Sequence, residues 1–306
     1  MKRQFTGILD GMPVALMMGG PGTERDVSLR SGAAVAGALR KCGALITEMD
    51  VTGPGFKIPE GTRLVFNIIH GTFGEDGELQ SLLDSMGVPY TGENAEGSRL
   101  AFDKIETKIR FDRAGVPTAP WKSLRRGESY GNGFPCVVKA PRQGSSVGVH
   151  IVDAPEGMDA ALGDCFQYGD CVLVEEFFKG RELTVGVLGN TALPIVEIVP
   201  HEGFYDYEHK YTKGASEYHV PAAISPELTA RIQGVALDAC RALDLRVYSR
   251  VDILLAPDEQ LNVLEINTIP GMTETSLLPK AAAVAGIDFP ALCEEIAGLS
   301  IFRHQT

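Results

Sequence analysis

Between Ser249 and Asn267 the sequence carries polar side chains at alternate positions on two strands joined by a short turn, and no other stretch restricts the fold as much. Ser249-Arg250-Val251-Asp252-Ile253-Leu254-Leu255-Ala256 alternates and then becomes apolar. Pro257-Asp258-Glu259-Gln260 has the composition of a four-residue turn, and Leu261 to Asn267 returns. With no bulge in this hairpin, antiparallel pairing sets Ala256 opposite Leu261, hence Asp252 opposite Glu265 and Arg250 opposite Asn267. Side chains of a strand alternate between faces, so these four polar groups share one face. Two carboxylates directly opposed on a sheet, with Cβ atoms ~4.5–5.5 Å apart, repel each other. A divalent cation removes the conflict. Oxygen-only ligands, from Asp252, Glu265 and Asn267, suit Mg²⁺ or Mn²⁺, which characteristically bridge to nucleotide phosphates. The alternative is an acidic surface patch that Arg250 neutralises.

The chain around this hairpin is enzyme-sized. Its 306 residues suit two or three domains. Val14 to Met18, the turn at Gly19-Gly20 and the helical spacing from Val27 to Cys42 make a strand, a glycine turn and a helix. Leu64 to Ile69 followed by Glu78 to Met86 repeats the pattern, so the first hundred residues predict an α/β unit with a parallel sheet. A helix is expected from Ala101 to Gly115, and Pro117 and Pro120 then mark a linker. From Trp121 to Asn190, strands at Cys136 to Ala140, Val149 to Val152, Val172 to Glu176 and Leu183 to Leu188 surround a helix from Met158 to Gln167, an α+β unit. His201 to His219 holds four of the eight tyrosines without periodicity and reads as a functional lid or a disordered insert. A helix from Pro226 to Leu243 then precedes the hairpin. The expected units are 1–105, 106–190 and 191–306, the last with the lid over 201–219.

A formal net charge of −12 works against a sequence-independent grip on nucleic acid or an anionic membrane, so small molecules are the expected partners. Six cysteines without a C-x-x-C pair read as reduced thiols. The first residues hold no apolar export segment and no run approaches a membrane span, which makes a cytoplasmic protein the expectation.

Three further segments bear on chemistry. Lys139 ends a strand that leads into Gly144-Ser145-Ser146-Val147-Gly148, small residues whose N–H groups can close on phosphate oxygens. Alone the loop is more often an ordinary turn, but Lys104 on the preceding helix supplies a second cation. Glu24, in Gly19-Gly20-Pro21-Gly22-Thr23-Glu24-Arg25, is either a helix-start charge or the partner of a ligand ammonium; the segment lacks G-x-G-x-x-G and gives little support to a dinucleotide. His70, in His70-Gly71-Thr72-Phe73-Gly74-Glu75-Asp76-Gly77, ends a buried strand, where open α/β sheets place ligands, although a lone histidine is more often structural.

Ser-Arg-Val-Asp followed by Leu-Glu-Ile-Asn-Thr-Ile-Pro-Gly-Met-Thr resembles the catalytic core of the ATP-grasp superfamily, specifically the D-alanine–D-alanine ligases. The resemblance runs in order from Glu24 to about Leu292. It implies a three-domain ATP-grasp fold, α/β followed by two α+β domains that clasp ATP. It assigns Lys104, Lys139, Ser146 and Lys210 to ATP, Glu175, Glu176 and Phe178 to the adenine pocket, and Glu182 to the ribose. Glu24 and His70 are implied beside the first D-alanine, Ser276 and Leu277 at the carboxylate of the second. Ser145 and Tyr211 fall with the catalytic residues, Arg250 and the Gly271 N–H with the developing oxyanion, and Asp252, Glu265 and Asn267 with the metals. Without the resemblance, Glu175-Glu176 is an ordinary solvated strand end. Gln143, Pro141, Glu274 and Thr275 depart from the family pattern, the last two beside the second-substrate residues.

The implied reaction is ATP-dependent joining of two D-alanines through an acyl phosphate, releasing ADP and phosphate, for peptidoglycan precursors. The alternatives are D-lactate or D-serine as second substrate, or a catalytically silent ATP-binding homologue. Relatives are commonly dimers, so a homodimer is expected.

Overall fold

The structure is a computed structural model and describes residues 4–131, 133–200 and 216–305. Strand β1 (Pro13–Gly19) is apolar along nearly its whole length because both faces are covered, the signature of a central parallel strand. Helix α1 (Arg25–Lys41) carries the chain across to β2 (Leu45–Val51), and β3 (Leu64–Asn67) pairs on the other side, giving the parallel order β2-β1-β3. β2 escapes sequence reading because Thr47, Glu48 and Asp50 interrupt its apolar residues; it is an edge strand and all six positions before Val51 face outward at least in part.

Helix α2 (Glu78–Met86) follows as expected, but the single helix predicted from Ala101 is two: α3 (Ala95–Phe102) and α4 (Lys104–Ala114). Asp103 makes the break. Its backbone is extended and its carboxylate accepts from the N–H groups of Ile105 and Glu106, capping α4. Gly115, at φ 70°, closes α4 in the left-handed conformation that glycine adopts without a steric penalty.

The next sheet is antiparallel, built from β4 (Trp121–Arg125), β5 (Cys136–Lys139), β6 (Val149–Val152) and β7 (Cys171–Glu176) in the order β4-β7-β5-β6. Helix α5 (Met158–Cys165) covers one face. The largest sheet holds β8 (Arg181–Leu188), β9 (Thr191–Ala192), β10 (Val196–Pro200), β11 (Ser216–His219), β12 (Tyr248–Leu255) and β13 (Leu261–Asn267), ordered β11-β10-β8-β12-β13 with β9 beside β8. The last four residues of the expected lid, 216–219, are thus strand β11. Helix α6 (Pro226–Ala242), capped by the Ser225 side chain and started by Pro226, packs Ile232, Ala236 and Ala239 on this sheet. Helices α7 (Leu277–Val284) and α8 (Phe289–Gln305) follow the hairpin. All six cysteines are free thiols, four of them buried.

The hairpin arrives at the expected pairing by an unexpected route. Next to the turn the register is Leu255 opposite Leu261, not Ala256 opposite Leu261, and the loop between them spans residues 256–260. Between Asp252 and Ile253 the register shifts: Ile253 pairs with Val263, Asp252 with Glu265 and Arg250 with Asn267, leaving Leu264 as the extra residue of a β-bulge. Without the bulge, strict alternation would turn Glu265 and Asn267 to the face opposite Asn262 and Leu264. With it, Asn262, Leu264 and Glu265 all line one cleft.

After β3 the chain must turn tightly beneath the cleft. The Gly74 carbonyl accepts from two buried amides, Asn67 Nδ2 at 3.1 Å and Gln80 Nε2 at 2.7 Å, and a Cβ on Gly74 would lie 1.9 Å from the Ile69 carbonyl oxygen. Gly74→Ala is therefore expected to lower stability by about 1–3 kcal/mol or more through overpacking against backbone. Urea unfolding measures this; a midpoint equal to that of the parent would contradict the packing.

Candidate active site

Two cavities open between the sheets. One, of about 680 Å³, is lined by Glu24, His70, Ser145, Arg250, Gly271, Ser276 and Leu277, among others. The other, of about 360 Å³, is lined by Lys139, Ser146, Glu175, Glu176, Phe178, Glu182 and Asp252. Lys104, Gln143 and Glu265 line both. The residues expected at the two amino-acid positions thus gather in the first cavity, and those expected around a nucleotide in the second. Glu265 stands where they meet, with Asp252 on one side and Asn267 on the other. Lys210 and Tyr211 lie outside the described residues.

At the junction each opposed carboxylate has a cation. The Arg250 guanidinium donates to both oxygens of Asp252, at 2.9 Å each, in the planar two-point geometry that favours Arg. Thr184 Oγ1 on β8 donates to Asp252 Oδ1 at 2.6 Å, and Lys104 Nζ lies 3.0 Å from Glu265 Oε2. Arg250 does neutralise Asp252, but within a cleft and not on an acidic surface patch, since their side chains are only 14% and 17% exposed. Among the described residues no three His, Cys, Asp or Glu side chains form a metal cage. Two carboxylates and one amide remain as the oxygen donors of the junction, a set that leaves most of an octahedral shell to water and phosphate, as Mg²⁺ sites do.

In the larger cavity Ser145 Oγ donates to Glu24 Oε1, a contact between the loop after β5 and the turn before α1. Both glycines beside it make room: a Cβ on Gly71 would lie 2.4 Å from Glu24 Oε2, and one on Gly144 3.0 Å. Ser145 and Ser146 have φ of 50° and 61°, a conformation that costs non-glycine residues about 1–3 kcal/mol and concentrates at functional loops.

His70 Nδ1 lies 2.7 Å from the Ile269 carbonyl oxygen, which can only accept, so the proton is on Nδ1. Its Nε2 faces Ser31 Oγ at 3.3 Å, which in turn accepts from the Met272 N–H. His70 is therefore held by both α1 and the segment after β13. Beside it, burial pushes the Glu75 carboxyl up to about 7, against the lowering influence of His70. Ser276 caps no N–H of α7; its Oγ accepts from the Thr273 N–H at 3.1 Å and shares a hydrogen bond with Thr273 Oγ1 at 2.8 Å. Of the two departures there, Thr275 lines the cavity, whereas Glu274 is exposed and does not.

The smaller cavity corrects the reading of Glu175 as a solvated strand end. Glu176 is exposed, but Glu175 is 2% exposed, with Lys108 on Oε1 and Lys139 on Oε2. Burial alone would raise this carboxyl; Lys139 and Lys108 outweigh it and bring it down to about 2. Sequence reading passed over Lys108 although it follows Lys104 by one helical turn, the spacing that puts both on one face of α4. Thr184 left no local trace, because it meets Asp252 only through the β8–β12 pairing.

An acid-and-amide junction between a lysine-lined cavity and a second polar cavity, under an ATP-grasp arrangement of sheets, defines a carboxylate-activating ligase. The family profile described as D-ala D-ala ligase C-terminus matches residues 111–297, and that described as D-ala D-ala ligase N-terminus matches residues 47–93. The D-alanine--D-alanine ligase of Methylacidiphilum infernorum is 48% identical over 290 residues, 95% of this chain and 96% of that protein. The enzyme of the same name from Desulforudis audaxviator is 44% identical, covering 94% of this chain and 98% of its own. The crystal structure of the Bacillus anthracis ligase complexed with ATP superposes with a TM-score of 0.83 at 32% identity, covering 97% of this chain and 99% of that one. The chain belongs to the D-alanine–D-alanine ligase family.

The buried carboxyl beside His70 generates a pH dependence. Glu75 binds its proton more tightly folded, at about 7, than at its ordinary value of 4.5. Its contribution to stability is therefore complete below pH 4.5 and is lost as pH rises through 7. Glu75→Gln should flatten the stability profile across this window, measured by urea unfolding at successive pH values. An unchanged slope would contradict the buried, protonated carboxyl.

Proposed function

We propose that the two cavities receive the two D-alanines and ATP, and that Glu265 at their junction marks where the first amino acid's carboxylate meets the γ-phosphate. The observation that carries this is the shared lining of Lys104, Gln143 and Glu265. A carboxylate is a poor acyl donor at neutral pH. Attack of the first D-alanine carboxylate on the γ-phosphorus breaks the bond to the β-phosphate oxygen and yields an acyl phosphate and ADP. The amine of the second D-alanine then adds to the acyl carbon, and the tetrahedral species expels phosphate. Such chemistry is mostly positioning and charge stabilisation.

In this reading Glu24 takes the first ammonium, with Ser145 fixing its carboxylate, and His70 lies alongside. Ser276 and the Leu277 N–H hold the second carboxylate. Arg250 and the Gly271 N–H face the oxyanion. Lys104, Lys139, Ser146 and Lys210 neutralise phosphate oxygens, Glu175, Glu176 and Phe178 form the adenine pocket, and Glu182 meets the ribose; Tyr211 closes over the substrate. Asp252, Glu265 and Asn267 fit a divalent metal, Mg²⁺ or Mn²⁺, by their oxygen-only donor set, and such an ion supplies charge neutralisation to the transferring phosphoryl group.

The three sheets correspond in this proposal to units 1–105, 106–190 and 191–306, with β8 crossing from the second in sequence to hydrogen-bond in the third. A homodimer and a cytoplasmic location belong to the same reading, and no helix among the described residues is long and apolar enough to cross a membrane.

With ATP and Mg²⁺, phosphate release should depend on D-alanine, and Asp252→Asn should lower it about a hundredfold or more, the scale of losing a preorganised charge at the reacting group. ATP hydrolysis independent of D-alanine, or full activity in the variant, would contradict the mechanism. Mass spectrometry of reactions offering D-alanine with D-lactate or D-serine should find D-alanyl-D-alanine as the main product; a dominant mixed product would shift the second-substrate assignment.

A further inference from the structure

Lys108 lines neither cavity, yet among the described residues it is the most deeply buried cation of the site, its side chain 1% exposed beneath the smaller one. It points from α4 to Glu175 Oε1 and Thr118 Oγ1, and Thr118 in turn donates to the Val263 carbonyl of β13 at 3.0 Å. Lys139 approaches the other oxygen, Glu175 Oε2. No backbone N–H or hydroxyl among the described residues hydrogen-bonds either oxygen, so two ammonium groups share one carboxylate.

Two positive charges against one negative leave a surplus of one. A buried carboxylate paired with a single lysine would be neutral and would hold that lysine fast, since the low local dielectric strengthens the pairing. With Lys108 as a permanent second partner, Glu175 is already compensated. Only Lys139 among the three charged groups combines a place on the cavity wall with a positive charge, so the surplus reaches the cavity there.

We propose that Lys108 is a positioning residue for nucleotide binding: by compensating Glu175 from behind, it leaves the charge of Lys139 available to the phosphates. This rests on the assignment of ATP to the smaller cavity. The bland role for such a group, simple burial of an ion pair, predicts general destabilisation when it is broken and no preference between ligands with and without phosphates.

The two roles separate in calorimetric titrations of ATP and adenosine into the parent chain, Lys108→Met, and Lys108→Met/Glu175→Gln. The readout is the ratio of ATP to adenosine affinity, which cancels damage to the adenine pocket. Lys108→Met should lower the ratio about ten- to a hundredfold, the worth of one charge-assisted hydrogen bond, while KM for D-alanine stays within about twofold. The double variant, in which Lys139 again faces no uncompensated carboxylate, should restore the ratio to within about threefold of the parent. An unchanged ratio in Lys108→Met, or no recovery in the double variant, overturns the proposal. If Lys108→Met does not fold, the double variant, with both buried charges removed together, decides: a ratio near that of the parent supports the role, and a tenfold or greater fall overturns it. A parent that binds ATP no better than adenosine contradicts the nucleotide site itself, and the proposal falls with it. A parent that prefers ATP with an insensitive Lys108→Met contradicts the role of Lys108 alone.

Discussion

Asp252 and Glu265 face each other across a β-ladder, and most of the active cleft is arranged around that repulsion. Like charges directly opposed on a sheet are destabilising, so their persistence requires cations on hand. The fold supplies them from two directions: Arg250 from the same strand and Lys104 from the start of α4. The pair exists at all because one extra residue, Leu264, turns β13 so that Glu265 and Asn267 face the cleft while Asn262 and Leu264 already do. Removing that irregularity from the ladder would turn Glu265 away from the face that Asn262 and Leu264 share.

Beyond the pair, α4 carries two further polar groups. Lys104 joins Glu265 to the Gln143 carbonyl; one turn along α4, Lys108 joins Glu175 to Thr118, and Glu175 holds Lys139. Helix α4 therefore ties the four-stranded sheet to β13, and the backbone strengthens the tie: the Val263 N–H donates to the Pro117 carbonyl at 2.9 Å, and Asn262 Oδ1 accepts from the Ala119 N–H at 2.8 Å. The N-terminal unit is joined by a different device, the Glu24–Ser145 contact, with the His70–Ile269 bond beside it. The parallel sheet also shares one apolar core with the largest sheet, Leu16 and Phe66 clustering with Leu188, Val196 and Tyr248, and the polar contacts gather at the site.

Much of this was legible in the residues because alternation and helical spacing are local properties. The shared face of Arg250, Asp252, Glu265 and Asn267 followed from strand periodicity, and the parallel sheet from two strand–turn–helix units. Most of the remaining residues that the resemblance grouped, among those described, line one cavity or the other, with Lys104 lining both. What escaped was non-local or masked by composition. Leu264 looks like any apolar strand residue, so the bulge left no mark and the pairing near the turn was set one residue off. β2 is an edge strand whose polar residues hid it, and Asp103 broke a helix whose apolar spacing runs on across it. Glu175 and Glu176 look alike in sequence, but only the structure shows one buried between two lysines and the other facing solvent.

The central claim is that the opposed acids are a cradle for a divalent cation together with the nucleotide, and Mn²⁺ binding tests it most directly. Electron paramagnetic resonance titration of Mn²⁺ in the presence of ATP should show tight binding to the parent chain. Glu265→Gln should weaken it about tenfold or more, consistent with the loss of one of two carboxylate ligands, with unchanged circular dichroism. Equal Mn²⁺ affinity in parent and variant would contradict the account.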